Sequence, residues 1–126
     1  MDVYEAIHTR RSVRTFCDEP VPRIVLERVV SAGIDAPSGA NAQLRQYVIV
    51  DDPAVMDGMR GYSSALKTAP AAIVILVDPQ STKFGEFWIQ DASASMQNML
   101  LATVAEGYAA CWIEGAVRRC EEDLRT

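Results

Sequence analysis

Apolar residues recur along the chain at two periods, and the period changes where Gly, Pro, Asp and Asn cluster. Val3, Ala6 and Ile7 lie on one face of a short helix that Asp2 can cap, with Glu5 as its capping-box partner. From His8 to Glu19 the pattern turns polar and basic and loses helical spacing. Pro22 stands where the first residue of a helix tolerates proline, and Ile24, Val25, Val29 and Ala32 keep helical spacing up to Gly33, the expected stop. A loop rich in Pro, Ser, Gly and Asn follows, from Asp35 to Gln43. Gln46 to Val50 reads as a strand, and Asp51-Asp52-Pro53 turns the chain into a short helix that ends near Arg60. Ala71 to Val77 is the clearest strand, apolar on both faces and therefore expected to be central and buried; Asp78-Pro79 stops it. A long helix is predicted from Glu86 to Glu106. Its apolar face is Ala92, Met96, Met99, Leu100, Thr103 and Val104, and Gly107 closes it. Ala110 to Ile113 reads as a third strand. Val117, Cys120 and Leu124, at i, i+3 and i+7, begin a further helix. The chain stops at Thr126 inside that pattern, so a shortened chain is expected.

The 126 residues contain no repeat, linker or low-complexity segment and read as one domain. With 49% hydrophobic and 23% charged residues, the composition excludes a disordered tail, a collagen-like chain and a disulfide-dense scaffold. A formal charge of −5 argues against general nucleic-acid binding and against an anionic-membrane anchor. The apolar run from Ala69 to Val77 is too short to span a bilayer as a helix, and the N-terminal segment lacks the apolar core of a signal peptide. Cys17, Cys111 and Cys120 form no metal-binding spacing with the single histidine, His8. Reduced thiols in a cytoplasmic protein are the expectation.

Three segments could carry chemistry. In an extended Arg10-Arg11-Ser12-Val13-Arg14, the side chains of Arg10, Ser12 and Arg14 point one way. Two guanidinium forks beside a hydroxyl suit a phosphate monoester; the plainer alternative is a solvated basic loop. In Ala36-Pro37-Ser38-Gly39-Ala40-Asn41-Ala42-Gln43, small residues let the backbone approach a flat ligand. Asn41 and Gln43 can read a heterocycle edge; the alternative is a plain turn. Cys111-Trp112-Ile113-Glu114-Gly115 ends a predicted strand on a glycine that can offer a backbone N–H at close range, or is simply a buried strand end. Asp91 and Asn98, two turns apart on the long helix, suit polar contacts between packed helices. No phosphate-binding glycine loop and no nucleophile elbow is present, which leaves hydrolase and thiol chemistry without their usual parts.

In this order the segments resemble the FMN-dependent nitroreductase family. Arg10-Arg11-Ser12-Val13-Arg14 is similar to the family's R-x-S-x-[RK] opening, and Ala36 through Gln43 to its APS-x-x-N-x-Q loop. The apolar strand after Ala69-Pro70, the run Asp91 to Ala102, and Glu106-Gly107 followed by Cys111 to Gly115 continue the likeness in register. The resemblance implies an α+β fold, with a mixed β-sheet flanked by helices, in an intertwined homodimer that binds FMN at its interface. It places Arg10, Arg11 and Ser12 at the phosphate or ribityl chain and Arg14 near the flavin N1/O2 edge. Pro37, Ser38, Gly39, Asn41 and Gln43 would cover the isoalloxazine, largely from the partner, with Glu114 and Gly115 beside N5. The implied reaction is a ping-pong transfer of two electrons from NAD(P)H to a nitroaromatic, quinone or similar small substrate. No side chain need act as a catalytic acid.

The sequence also departs from the family's pattern. Family members continue beyond the position of Thr126, with a further strand and a basic pair that completes the phosphate site. The Pro-Trp that usually follows the Asn/Gln loop is replaced by Leu44-Arg45. Two alternatives therefore stay open: a flavin-binding or inactive fragment without turnover, and a family member with other flavin chemistry such as dehalogenation, flavin breakdown or azoline oxidation.

Overall fold

The computed structural model describes residues 1–80 and 84–115; the helix expected from Val117 to Leu124 lies outside them. Helix α1 spans Val3–Thr9 and is capped by Asp2, whose carboxylate accepts the Glu5 N–H at 2.9 Å. Helix α2 spans Arg23–Ile34 and begins one residue after Pro22, which serves as its N-cap. Strand β1 is Arg45–Val50. Helix α3, Pro53–Met59, is capped by Asp52, which accepts the N–H groups of Ala54 and Val55. Strand β2 is Ala72–Val77, and helix α4, Trp88–Ala105, follows a short 3-10 turn at Gly85–Phe87. Helix α4 ends as its glycine predicts. Gly107 takes φ +85°, its N–H bonds Val104 O, and the Tyr108 N–H bonds Thr103 O, the paired bonds of a Schellman stop.

β1 and β2 pair antiparallel, with Arg45 opposite Val77 and Val50 opposite Ala72. Side chains alternate across this ribbon and give each face a different partner. Val50 and Val74 face a core of Met56, Leu66 and Ala69, joined by Phe16, Met59, Tyr62, Ala72 and Ile113. From the other face, Tyr47 reaches α4, where its hydroxyl lies 2.7 Å from Ser95 Oγ. α4 in turn packs on α2. The contact is close because Gly33 lacks a side chain: a Cβ there would stand 2.8 Å from Met99 Cγ and from Ser95 Oγ. Asn98 donates to Ala32 O at 3.0 Å, the inter-helix polar contact expected of it. At the far end a two-bond Arg28–Glu106 pair, 2.7 and 2.8 Å, ties α2 to the end of α4. The hydrogen bonds from Arg28 hold the Glu106 carboxyl below its ordinary range.

The fold is α+β, as expected, with three local differences. Gly33 does not stop α2, which runs on to Ile34; the glycine serves helix packing instead. β2 is not central among the described residues: it pairs only with β1, and Leu76 is exposed. The third strand reduces to one parallel bridge between Ser12 and Ala110, with the Val13 N–H donating to Ala110 O at 3.1 Å. Among the described residues the sheet is therefore a two-stranded antiparallel ribbon with one isolated parallel bridge, not the mixed sheet that was expected. Among the described residues, no helix is long and apolar enough to cross a membrane.

Candidate functional site

The bridge at Ser12 brings the first and third candidate segments side by side. Phe16 and Ile113 pack on the same core cluster, so residues 10–16 and 110–115 travel together along one edge of the domain. Val13 is half-buried while Ser12 and Arg14 are exposed, so alternation holds from Ser12 to Arg14; it fails before them, where Arg10, the end of α1, is half-buried and Arg11 exposed. Arg10 terminates α1 through its own N–H, which bonds Ala6 O. Among the described residues neither the Arg10 nor the Arg14 guanidinium has a carboxylate partner. Arg11 behaves differently. Its guanidinium folds back onto His8 O and Arg10 O, at 2.9 and 2.7 Å, and holds the end of α1. Glu114 and Gly115 are exposed where the neighbouring segment ends.

Beneath Arg10 and Arg11 lies a small cavity of about 120 Å³, with Val13, Leu100 and Val104 in its wall. Pockets that enclose a drug-sized ligand measure about 300–1,000 Å³. The cavity is too small to enclose such a ligand, and Ser12 and Arg14 do not line it.

The second segment is a strained loop. Ala40, Asn41 and Gln43 have φ of 51°, 57° and 54°, a left-handed conformation uncommon for residues with a side chain. Several contacts hold it there. Asp91, only 3% exposed, accepts the Gly39 N–H through Oδ1 at 2.8 Å. Ser38 Oγ accepts the Gln43 N–H at 3.1 Å, and the Gln43 side-chain amide donates to Asn41 Oδ1 at 2.9 Å. Phe87 presses on Gly39, where a Cβ would stand 2.8 Å from its ring. Arg45 reaches back from β1 to Ala36 O, Pro37 O and Asp91 O. Neither Arg45 nor the depth of Asp91 is evident from apolar periodicity. The one available signal is a lone carboxylate in the first turn of an otherwise uncharged helix.

The loop and the arginine segment stand at opposite ends of α4. Asp91 holds the loop, while Leu100 and Val104 line the cavity by Arg10. At 1.5 Å per residue, these positions are separated along the helix by roughly 14–20 Å. The structure thus joins the first and third segments and keeps the second apart from them within one chain.

Comparison with known proteins places this arrangement. The profile of the Nitroreductase family matches residues 7–66 and 57–119. A curated relative from Methanothermobacter thermautotrophicus, named "Putative NADH dehydrogenase/NAD(P)H nitroreductase", is 34% identical over 115 residues, which are 89% of this chain and 60% of that protein. This chain spans about 60% of the length of the curated relatives it matches in this way. A crystal structure from Parabacteroides distasonis with the same name superposes with a TM-score of 0.85 at 30% identity, covering 98% of this chain and 77% of that one. A nitroreductase from Desulfovibrio desulfuricans, solved in complex with FMN, gives a TM-score of 0.82 at 30% identity over 96% of this chain and 73% of that one. Sequence motifs, fold and matched residues agree, and the chain belongs to the nitroreductase family.

Proposed function

We propose that two copies of this chain, each a single domain of residues 1–126, bind FMN between them in the cytoplasm. There they pass two electrons from NADH or NADPH to a small oxidised substrate, such as a nitroaromatic or a quinone, in ping-pong order. The observation that carries this reading is the segment of half-buried Arg10 and exposed Ser12 and Arg14, with two guanidinium groups unpaired among the described residues. It stands in a chain whose structural relative is solved with FMN.

The donor set suits the cofactor. Arg10 and Ser12 would hold the phosphate or ribityl chain by charge-assisted and hydroxyl hydrogen bonds. Arg11 would contribute by fixing the main chain between them. Arg14 would lie near the pyrimidine edge, where a cation favours negative charge on the reduced ring. Glu114 and Gly115 end the adjacent segment, and a backbone N–H there can bond N5. The loop carrying Pro37, Ser38, Gly39, Asn41 and Gln43 would come from the partner subunit. Its separation from Arg10 along α4 supports that division. When bound, FMN supplies the hydride-accepting and hydride-donating chemistry. The protein binds, orients and excludes water.

The reading is tested with the FMN-loaded 126-residue chain, NADH or NADPH, and separately added acceptors. Bleaching of the flavin by the nicotinamide, followed by reoxidation with a nitroaromatic or quinone, is the expected result. Bound flavin that no nicotinamide bleaches would refute the oxidoreductase assignment.

A further inference from the structure

We propose that Arg45 and Asp91 are positioning residues that set the shape of the 37–43 loop for the flavin; this rests on the FMN reading above. The loop concentrates three left-handed, non-glycine residues, Ala40, Asn41 and Gln43, within four positions. Such a backbone persists only where its surroundings over-determine it. Here two side chains outside the loop do so by hydrogen bonds.

Arg45 clamps the base. One terminal nitrogen donates to Pro37 O at 3.2 Å and to Asp91 O at 2.8 Å; the other donates to Ala36 O at 2.6 Å. A planar guanidinium suits acceptors spread this way, and the three bonds join the loop base to the first turn of α4. Asp91 fixes the apex, because its Oδ1 accepts the Gly39 N–H at 2.8 Å. Among the described residues its Oδ2 is buried without a partner, and the Arg45 guanidinium makes no ion pair with the carboxylate. A buried carboxylate with one bond is an expensive group to keep, so the arrangement serves the loop rather than general stability. Phe87 backs the same glycine and leaves the loop no inward alternative.

The position of Arg45 gives the inference its content for this chain. Leu44-Arg45 stands where the family resemblance leads one to expect Pro-Trp. The clamp is polar where bulk is usual, and it acts through main-chain carbonyls. Removing the guanidinium takes a donor from Ala36 O and Pro37 O at the loop base and cuts their link to Asp91 O in α4.

The test compares wild type with Arg45→Met, Arg45→Lys and Asp91→Asn. It reads FMN affinity by flavin fluorescence and amide hydrogen exchange of the chain without FMN. Expected are faster exchange at Gly39 and Gln43 in Arg45→Met, unchanged exchange in the α2–α4 contact, and FMN weakened by about tenfold or more. Arg45→Lys keeps the charge but not the planar fork, and falls between. Asp91→Asn keeps an acceptor for Gly39 and stays within about threefold of wild type. Unchanged exchange at Gly39 and Gln43, or unchanged FMN affinity in Arg45→Met, overturns the proposal. So does exchange that quickens equally throughout α2 and α4, the mark of a general structural role. If Arg45→Met does not fold, Arg45→Lys carries the same two outcomes. A wild-type chain that binds no FMN refutes the FMN reading itself, and the proposal falls with it. A wild type that binds while Arg45→Met binds equally well overturns the proposal alone.

Discussion

Replacing Gly33 by Ala tests the packing that places both candidate segments on α4. In an exposed helix, Gly to Ala stabilises by about 1 kcal/mol. At Gly33 the new methyl meets Met99 Cγ and Ser95 Oγ, both at 2.8 Å, which is closer than such contacts allow. Met99 can bend, but both residues are buried, and Ser95 is anchored by its hydrogen bond to Tyr47. Overpacking of this kind costs about 1–3 kcal/mol, and displacing Ser95 forfeits a bond worth about 0.5–1.5 kcal/mol. Set against the helix gain, the expected result is a loss of about 2 kcal/mol. Gly58 in α3 is the control, because a Cβ there meets nothing within 4 Å. Gly58→Ala should gain about 0.4–1 kcal/mol. Urea unfolding at one fixed protein concentration reads both variants. With an m-value of about 2 kcal/mol per M, Gly33→Ala should lower the midpoint by roughly 1 M at unchanged slope. A Gly33→Ala midpoint at or above wild type would refute the close helix contact. A destabilised Gly58→Ala would refute the propensity argument.

Three further outcomes follow from single contacts. Asp52→Ala removes the acceptor for the Ala54 and Val55 N–H groups and should cost about 1 kcal/mol in the same unfolding assay; no loss would mean that α3 does not depend on its cap. The Glu106 carboxyl is held low by Arg28, so this contribution is full above the ordinary carboxylate range and is lost as pH falls through the lowered value. Arg28→Met should therefore lie below wild type in stability at neutral pH and converge with it in acid; a gap that persists in acid would exclude the pair as its source. Arg14→Ala should weaken FMN by about tenfold or more, read by fluorescence titration, and unchanged affinity would remove Arg14 from the site.

What the sequence revealed followed from which physical signals are local. Caps and stops are local: Asp2 and Gly107 act where the pattern put them, and Asp52, read only as part of a turn, caps α3. Glycine at Gly33 was ambiguous, because a helix stop and a close helix crossing use the same residue, and only the third dimension separates them. On α4 the most buried positions include Asp91 and Ser95, polar residues that a count of apolar spacing passes over. Their burial is explained by partners far along the chain, Gly39 and Tyr47. The alternation at Ser12, Val13 and Arg14 was legible, but Arg11's turn back to the end of α1 was not, since an extended segment does not dictate where a long side chain finds acceptors. Apolar runs likewise do not report how many neighbours a strand finds: Ala110 to Ile113 makes one bridge, and β2 has one partner among the described residues.

The central claim is that this chain builds an FMN site shared between two copies. An FMN titration of the purified chain, run with sedimentation equilibrium on the same samples, tests it most directly. The account predicts saturable quenching near one FMN per chain, with the bound species sedimenting as a dimer. Absence of saturable binding, or FMN bound to a monomer, would contradict it.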